Sequence, residues 1–210
     1  ILLHPGSLLS DAELNMGKIG KNAESRTVWN FYPTYQQYLD FMSGFASAYP
    51  GICKVDTIGT SVQGRLLLSV KISDSVNVDR GVPQFFYTST IHGDETTGYV
   101  LMLHLIDSLL SGYNNSTRIT NLVNSTQIFI NPLANPDGTY YGGNNTVNGS
   151  IRYNANYIDL NRNYPDPGAG PHPDGHPWQV ETVAFMDFAG KTHFVSSLNF
   201  HGGVTVFNYP

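Results

Sequence analysis

Cysteine is nearly absent from this sequence. The single Cys53 excludes an intrachain disulfide framework, and its place in the strand-like run ICKVDTIG predicts a buried, inert thiol. Charge is scarce too: 13% of the 210 residues are charged, against about 25% in typical soluble domains. With 11 basic and 16 acidic side chains the net charge is −5, and no Lys/Arg run occurs, so no nucleic-acid partner is expected. Long apolar runs are missing. The longest candidate, Tyr99–Leu110, is interrupted by His104 and Asp107 and falls short of the ~18 residues of a membrane span. The opening ILLHPGS has neither an initiator Met nor a charged segment before an apolar one, so the true start is expected to have been removed.

Hydrophobic residues make up 40% of the chain, which excludes intrinsic disorder and suffices for one sizeable core. Gly (21), Pro (12) and Tyr (13) are plentiful. Five N-x-S/T triplets begin at Asn114, Asn115, Asn124, Asn144 and Asn148. Asn-rich, low-charge loops of this kind point to an extracellular or periplasmic, secreted location.

Residues 1–30 show no sustained period, and the role of this N-terminal segment is open. From Thr34 the pattern sharpens. Apolar residues at 35, 38, 42, 45, 46 and 49 predict one helical face, with Thr34 and Gln37 as a capping box and Pro50 as the stop. Strands are expected at 52–58, 65–73, 83–91, 125–132, 193–200 and 203–208, and further helices at 95–110 and 178–190. Strands alternating with helices after an initial β pair give an α/β fold with a mixed sheet. The Gly/Asn/Pro/Tyr-rich stretch 134–177 is too long for an ordinary connector, and such loops are usually functional.

The chemistry-bearing residues fall at strand ends. In IHGDE, His92 and Glu95 can both point at one ion, although a solvated turn explains the pair equally well. In NFHGG, His201 closes another apolar strand, where a hydrogen-bonded surface residue is the plain alternative. Two His and one Glu with an open fourth position make a catalytic zinc arrangement. Between them, YIDLNRNYP supplies Asp159, Asn161 and Arg162. The Arg fork suits a carboxylate, unless it merely pairs with a nearby Asp. Arg152 is a second cation upstream, or a solvated surface residue.

HGDE, NPDG, DLNRNYP and NFHGG, in that order, resemble the zinc metallocarboxypeptidase family (carboxypeptidase A/B-like, M14 type). YPTYQQYLDFM, IGTSVQGR and LSVKISDS are similar to that fold's opening helix and hairpin. HGDE, DLNRN and the HGG preceding NYP place the resemblance nearer the regulatory N/E/D-like branch. It covers residues 31–210, a partial catalytic domain, and implies a mixed, mostly parallel sheet flanked by helices. It further implies one zinc ion held by His92, Glu95 and His201. Asp159 would orient a ligand His, Arg152 would stabilise the oxyanion, and Asn161 with Arg162 would grip a peptide's terminal carboxylate. The implied activity is removal of the C-terminal residue of peptides or proteins.

The family's general-base Glu, and a loop Tyr before it, lie well beyond the third zinc ligand and have no counterpart up to Pro210. The C-terminal part of the fold is therefore expected to be absent from this chain and to act as its partner. The alternatives are a non-catalytic zinc- and peptide-binding module, or a related zinc amidase or deacylase. Other titratable residues have plainer expectations. His172 and His176 belong to a solvated rim loop, because Pro and Gly around them forbid a helix. His104 is expected in the core or half-buried. Glu181 suits a helix N-terminus rather than the role of base.

Overall fold

Thr34 opens the first helix as the sequence predicts. Its hydroxyl accepts from the Gln37 amide, and the Gln37 side chain accepts in return from the Thr34 N–H. In this computed structural model, which describes residues 15–21, 27–203 and 206–208, a short antiparallel pair comes before that helix: β1 (Gly20–Lys21) and β2 (Thr27–Val28). Helix α1 (Tyr35–Ala48) then buries Tyr38, Met42 and Phe45 on one face. Trp29 packs on Phe41 at 5.0 Å, and its indole donates to Asp107 at 2.9 Å.

The sheet is built from β3 (Cys53–Thr60), β4 (Leu66–Ile72), β5 (Gln84–Ser89), β6 (Gln127–Asn131) and β7 (Phe194–Phe200). Their spatial order is β3-β4-β6-β5-β7. The β3–β4 and β4–β6 pairings are antiparallel, and β6–β5 and β5–β7 are parallel. The sheet is mixed, as expected, and its parallel share is two of four pairings among the described strands.

Side-chain alternation along the strands divides the core into two layers. Leu68, Val70 and Ile72 of β4 and Ile128 and Ile130 of β6 face one way. They meet α1, α2 (Thr97–Gly112) and Val123 of α3 (Thr117–Ser125). Leu67, Phe86 and Phe129 face the other way, toward Ala184 and Phe185. These two belong to α5 (Val180–Lys191), which follows the one-turn helix α4 (Pro136–Thr139). Phe194 stacks on Phe86 at 5.1 Å and meets Phe129 at 5.3 Å. Burying each such ring stabilises the fold by about 1.5–3 kcal/mol.

Two expectations need correction. His104 is exposed, because the helical phase that buries Leu103, Ile106 and Leu110 turns positions 101 and 104 outward. The strand expected at 203–208 is not seen at 203 or 206–208, and 204–205 lie outside the described residues, as do 1–14, 22–26 and 209–210. Cys53 behaves as expected: it is buried, and burial pushes its thiol up to about 12.

Candidate metal centre

Strands β5 and β7 end level with one another, Ser89 opposite Phe200. His201 follows its strand directly, whereas β5 reaches His92 through a bend at Thr90. That residue is fully buried with φ at +63°, a conformation costing a β-branched side chain on the order of 1–3 kcal/mol. Surrounding bonds impose it. Ala134 N–H donates to the Ser89 carbonyl and Asn135 N–H to the Thr90 carbonyl, both at 3.0 Å. The Thr90 hydroxyl donates to the Glu95 carbonyl at 3.3 Å.

The next turn rests on α4, the NPDG segment. A Cβ on Gly93 would lie 2.3 Å from the Gly138 carbonyl carbon, so only glycine fits there. Gly93 N–H donates to the Arg152 carbonyl at 3.2 Å, and the Thr139 hydroxyl to the Gly93 carbonyl at 2.9 Å. The Asn135 amide reaches the carbonyls of Ile91 and Arg152. NPDG thus seats both the His92 turn and the Arg152 segment.

Three side chains converge above this shelf. His92 Nδ1 lies 2.9 Å from Glu95 Oε1, His201 Nδ1 lies 2.9 Å from Glu95 Oε2, and the two Nδ1 atoms are 3.2 Å apart. One donor atom from each residue falls within a 4.8 Å cluster. Tetrahedral ligands about 2.0–2.1 Å from a zinc ion stand roughly 3.3 Å from one another, so the spacing and the N/N/O donor set fit such an ion. Burial opposes ionisation of Glu95, but hydrogen bonds from His201 and His92 outweigh it and hold the carboxyl far below its usual range. The carboxylate is thus charged, as a cation ligand must be. His92 is buried and His201 exposed, which puts the cluster at a surface opening.

Asp159 backs the cluster. Its Oδ1 faces His92 Nε2 at 3.3 Å, too poorly directed for a hydrogen bond, so that buried nitrogen has no such partner among the described residues. Its Oδ2 accepts from Arg152 Nε at 3.0 Å and Nη2 at 2.8 Å. Arg152 Nη1 is left 3.2 Å from His92 Nδ1. Burial works against the Asp159 charge, yet Arg152 prevails and keeps the carboxyl below its ordinary value. Asp159 also caps the 3-10 turn Leu160–Arg162 through the Asn161 N–H at 2.9 Å. The side chains of five of the seven sequence-predicted site residues therefore share one contact network. Asn161 and Arg162 follow on the adjoining turn. Arg162 is exposed, and among the described residues its guanidinium meets only the Asn161 carbonyl, at 3.0 Å.

Sequence reasoning missed one residue that holds these loops. Asn163 is fully buried and uses its whole amide: Nδ2 donates to Asp174 (2.8 Å) and the Pro177 carbonyl (3.1 Å), while Oδ1 accepts from Gln179 N–H (2.7 Å) and the Thr182 hydroxyl (2.9 Å). Asp137 of NPDG, also buried, accepts from Ser61, Gln63 and Arg65. Glu181 does sit in the first turn of α5, but it is wholly buried and accepts from Val62 N–H and the Asn154 amide. Burial raises its carboxyl. His172 and His176 are exposed on the loop before α5, His172 lying 5.0 Å from the Trp178 ring. No helix among the described residues is long and apolar enough to cross a membrane.

The zinc carboxypeptidase family model (peptidase M14) matches residues 38–210. Carboxypeptidase M of Mus musculus is 41% identical over 179 residues, covering 81% of this chain and 38% of its own. Carboxypeptidase D of Mus musculus is 40% identical over 174 residues, 81% of this chain and 12% of its own. The carboxypeptidase N catalytic chain of Homo sapiens is 38% identical over 183 residues, 77% and 40% respectively. The chain thus spans well under half the length of these relatives. In fold it is similar to carboxypeptidase A from Helicoverpa armigera, with a TM-score of 0.75 at 22% identity over 92% of this chain and 51% of that one. Since the matched span holds the whole network around His92 and His201, sequence kinship and fold agree, and the chain belongs to the zinc carboxypeptidase family.

Proposed function

We propose that this chain provides the zinc-holding and substrate-anchoring part of a metallocarboxypeptidase that removes the C-terminal residue of peptides or proteins. The observation that carries the reading is the convergence of His92 Nδ1, the Glu95 carboxylate and His201 Nδ1 at the level ends of β5 and β7. His92, Glu95 and His201 would hold one zinc ion. When bound there, zinc supplies Lewis acidity, polarising the scissile carbonyl and making water nucleophilic near neutral pH.

The remaining roles belong to the chain's own groups. Asp159 faces His92 Nε2 and would orient that ring, and it clamps Arg152 by two nitrogens, which aims Nη1 toward the cluster. A fixed donor directed at developing negative charge contributes about 3–4 kcal/mol to the transition state. Asn161 and Arg162 receive the substrate's terminal carboxylate. An internal peptide bond would leave that pair without its anion, which favours chain ends. None of these residues is the general base. The buried carboxylates Asp137 and Glu181 are each engaged by donors from other loops, so neither is assigned that role. Asn-rich loops and sparse charge support passage through a secretory route.

The test is Arg162→Ala in the full-length protein. With bound zinc unchanged, kcat/KM on a peptide with a free C-terminus is expected to fall roughly 100-fold, the loss of about 3 kcal/mol of charge-assisted hydrogen bonding. Unchanged kcat/KM, or a wild-type protein that binds no zinc, would overturn the reading.

A further inference from the structure

The N-x-S/T triplets have no part in the metal centre, and the fold sorts them by position. Asn115 and Asn124 stand near the two ends of α3, both exposed, and both have threonine as third residue, Thr117 and Thr126. The two sites adjoin: the Tyr113 hydroxyl donates to Asn124 Oδ1 at 3.1 Å. Both lie away from the metal cluster. Helix α2 starts beside Glu95 and runs 16 residues to Gly112, about 24 Å at 1.5 Å per residue, before the chain reaches Asn115. Asn124 comes just before β6, whose first residue pairs with the first of β5. His92 follows the opposite end of β5, roughly 17 Å along the strand.

We propose that Asn115 and Asn124 carry N-linked glycans; this rests on the secretory route read above. The co-reactant is a lipid-diphosphate oligosaccharide. The asparagine amide nitrogen forms a bond to the anomeric carbon and gives up one proton, while the bond from that carbon to the diphosphate oxygen breaks and the lipid diphosphate leaves. The product amide keeps its carbonyl and one N–H, and the fold uses only those. Asn115 Nδ2 donates one hydrogen bond, to the Ser111 carbonyl at 2.9 Å, and Asn124 receives the Tyr113 hydroxyl on Oδ1. A sugar fits at either nitrogen without breaking a recorded contact. Asn144 stands closer to the metal shelf: its Oδ1 accepts from Arg65 Nε, and Arg65 also pairs with Asp137 of NPDG.

The full-length protein, directed into the secretory route of a eukaryotic cell by a supplied leader, tests whether the two folded sites accept glycans there. Enzymatic glycan release in heavy-oxygen water converts each occupied asparagine to labelled aspartate, which peptide mapping locates. Label at both Asn115 and Asn124 is expected; secreted protein with either residue unlabelled overturns the proposal. Asn124→Gln is expected to lose one glycan increment in gel mobility while bound zinc stays within twofold of wild type. An unchanged mobility, or lost zinc, counts against it. Mapping needs no peptidase activity, so failure of the carboxypeptidase reading would show separately.

Discussion

Replacing Asn163 by alanine tests whether the turn carrying Asn161 and Arg162 is held from behind by a single amide. Four hydrogen bonds are lost. Asp174 is half-buried and Pro177 exposed, so their oxygens regain water. Gln179 N–H and the Thr182 hydroxyl are buried and lose this acceptor. At about 1–3 kcal/mol for each orphaned buried group, the cost is about 4 kcal/mol. For a domain of this size that lowers Tm by roughly 8–16 °C. Thermal unfolding followed by tryptophan fluorescence suits the question, because Trp178 lies in the segment that Asn163 holds, its indole bonded to the Pro171 carbonyl. A Tm within about 2 °C of wild type would refute the argument. Asn163→Asp sharpens it. Aspartate keeps the acceptors for Gln179 and Thr182 but sets a carboxylate against Asp174 Oδ2, where the amide donor sits at 2.8 Å. Mutual repulsion raises the carboxyl's folded pKa above its unfolded one, so stability falls as pH rises through that raised value. The aspartate variant is therefore expected to recover in acid relative to wild type. The alanine variant, with no such pair, is not.

Gly93→Ala forces a methyl into the Gly138 backbone 2.3 Å away. It is expected to destabilise the full-length protein by several kcal/mol and to reduce bound zinc, read by urea unfolding and metal analysis; near-wild-type values on both would disprove the close approach. Glu181 predicts a pH signature. Its folded carboxyl is raised, chiefly by burial, so its contribution to stability is full below the ordinary Glu range and is lost as pH rises through the raised value. Glu181→Gln removes that slope from the urea midpoint measured over about pH 4 to 8, at the cost of one mismatched contact with Val62 or Asn154. A curve parallel to wild type would exclude Glu181 as its source.

Much of the sheet was legible because its strands alternate or run fully apolar between clear breakers, as QIFIN and QFFYTS do. The ligand candidates were legible because strand ends in such sheets are where sites form. Helix α3 was not, since TRITNLVNS is short and offers only Ile119, Leu122 and Val123 as an apolar stripe, of which Val123 alone is buried. Thr90 was invisible for a different reason: nothing local calls for a left-handed threonine, and the bonds that impose it come from residues 134 and 135. The same holds for Glu181, whose partner Val62 lies 119 positions away.

The arginines are the instructive case. Pairing with a nearby aspartate was the plain alternative for Arg162, and surface solvation was the alternative for Arg152. The fold exchanges them: Arg162 is the exposed one and Arg152 the paired one. For Arg152 the ion pair does not compete with the proposed role. A guanidinium is planar and rigid, so fixing Nε and Nη2 on one carboxylate oxygen leaves Nη1 a single direction, and that direction is toward His92. An ion pair that looks merely structural from sequence is, in this geometry, what would aim the cation.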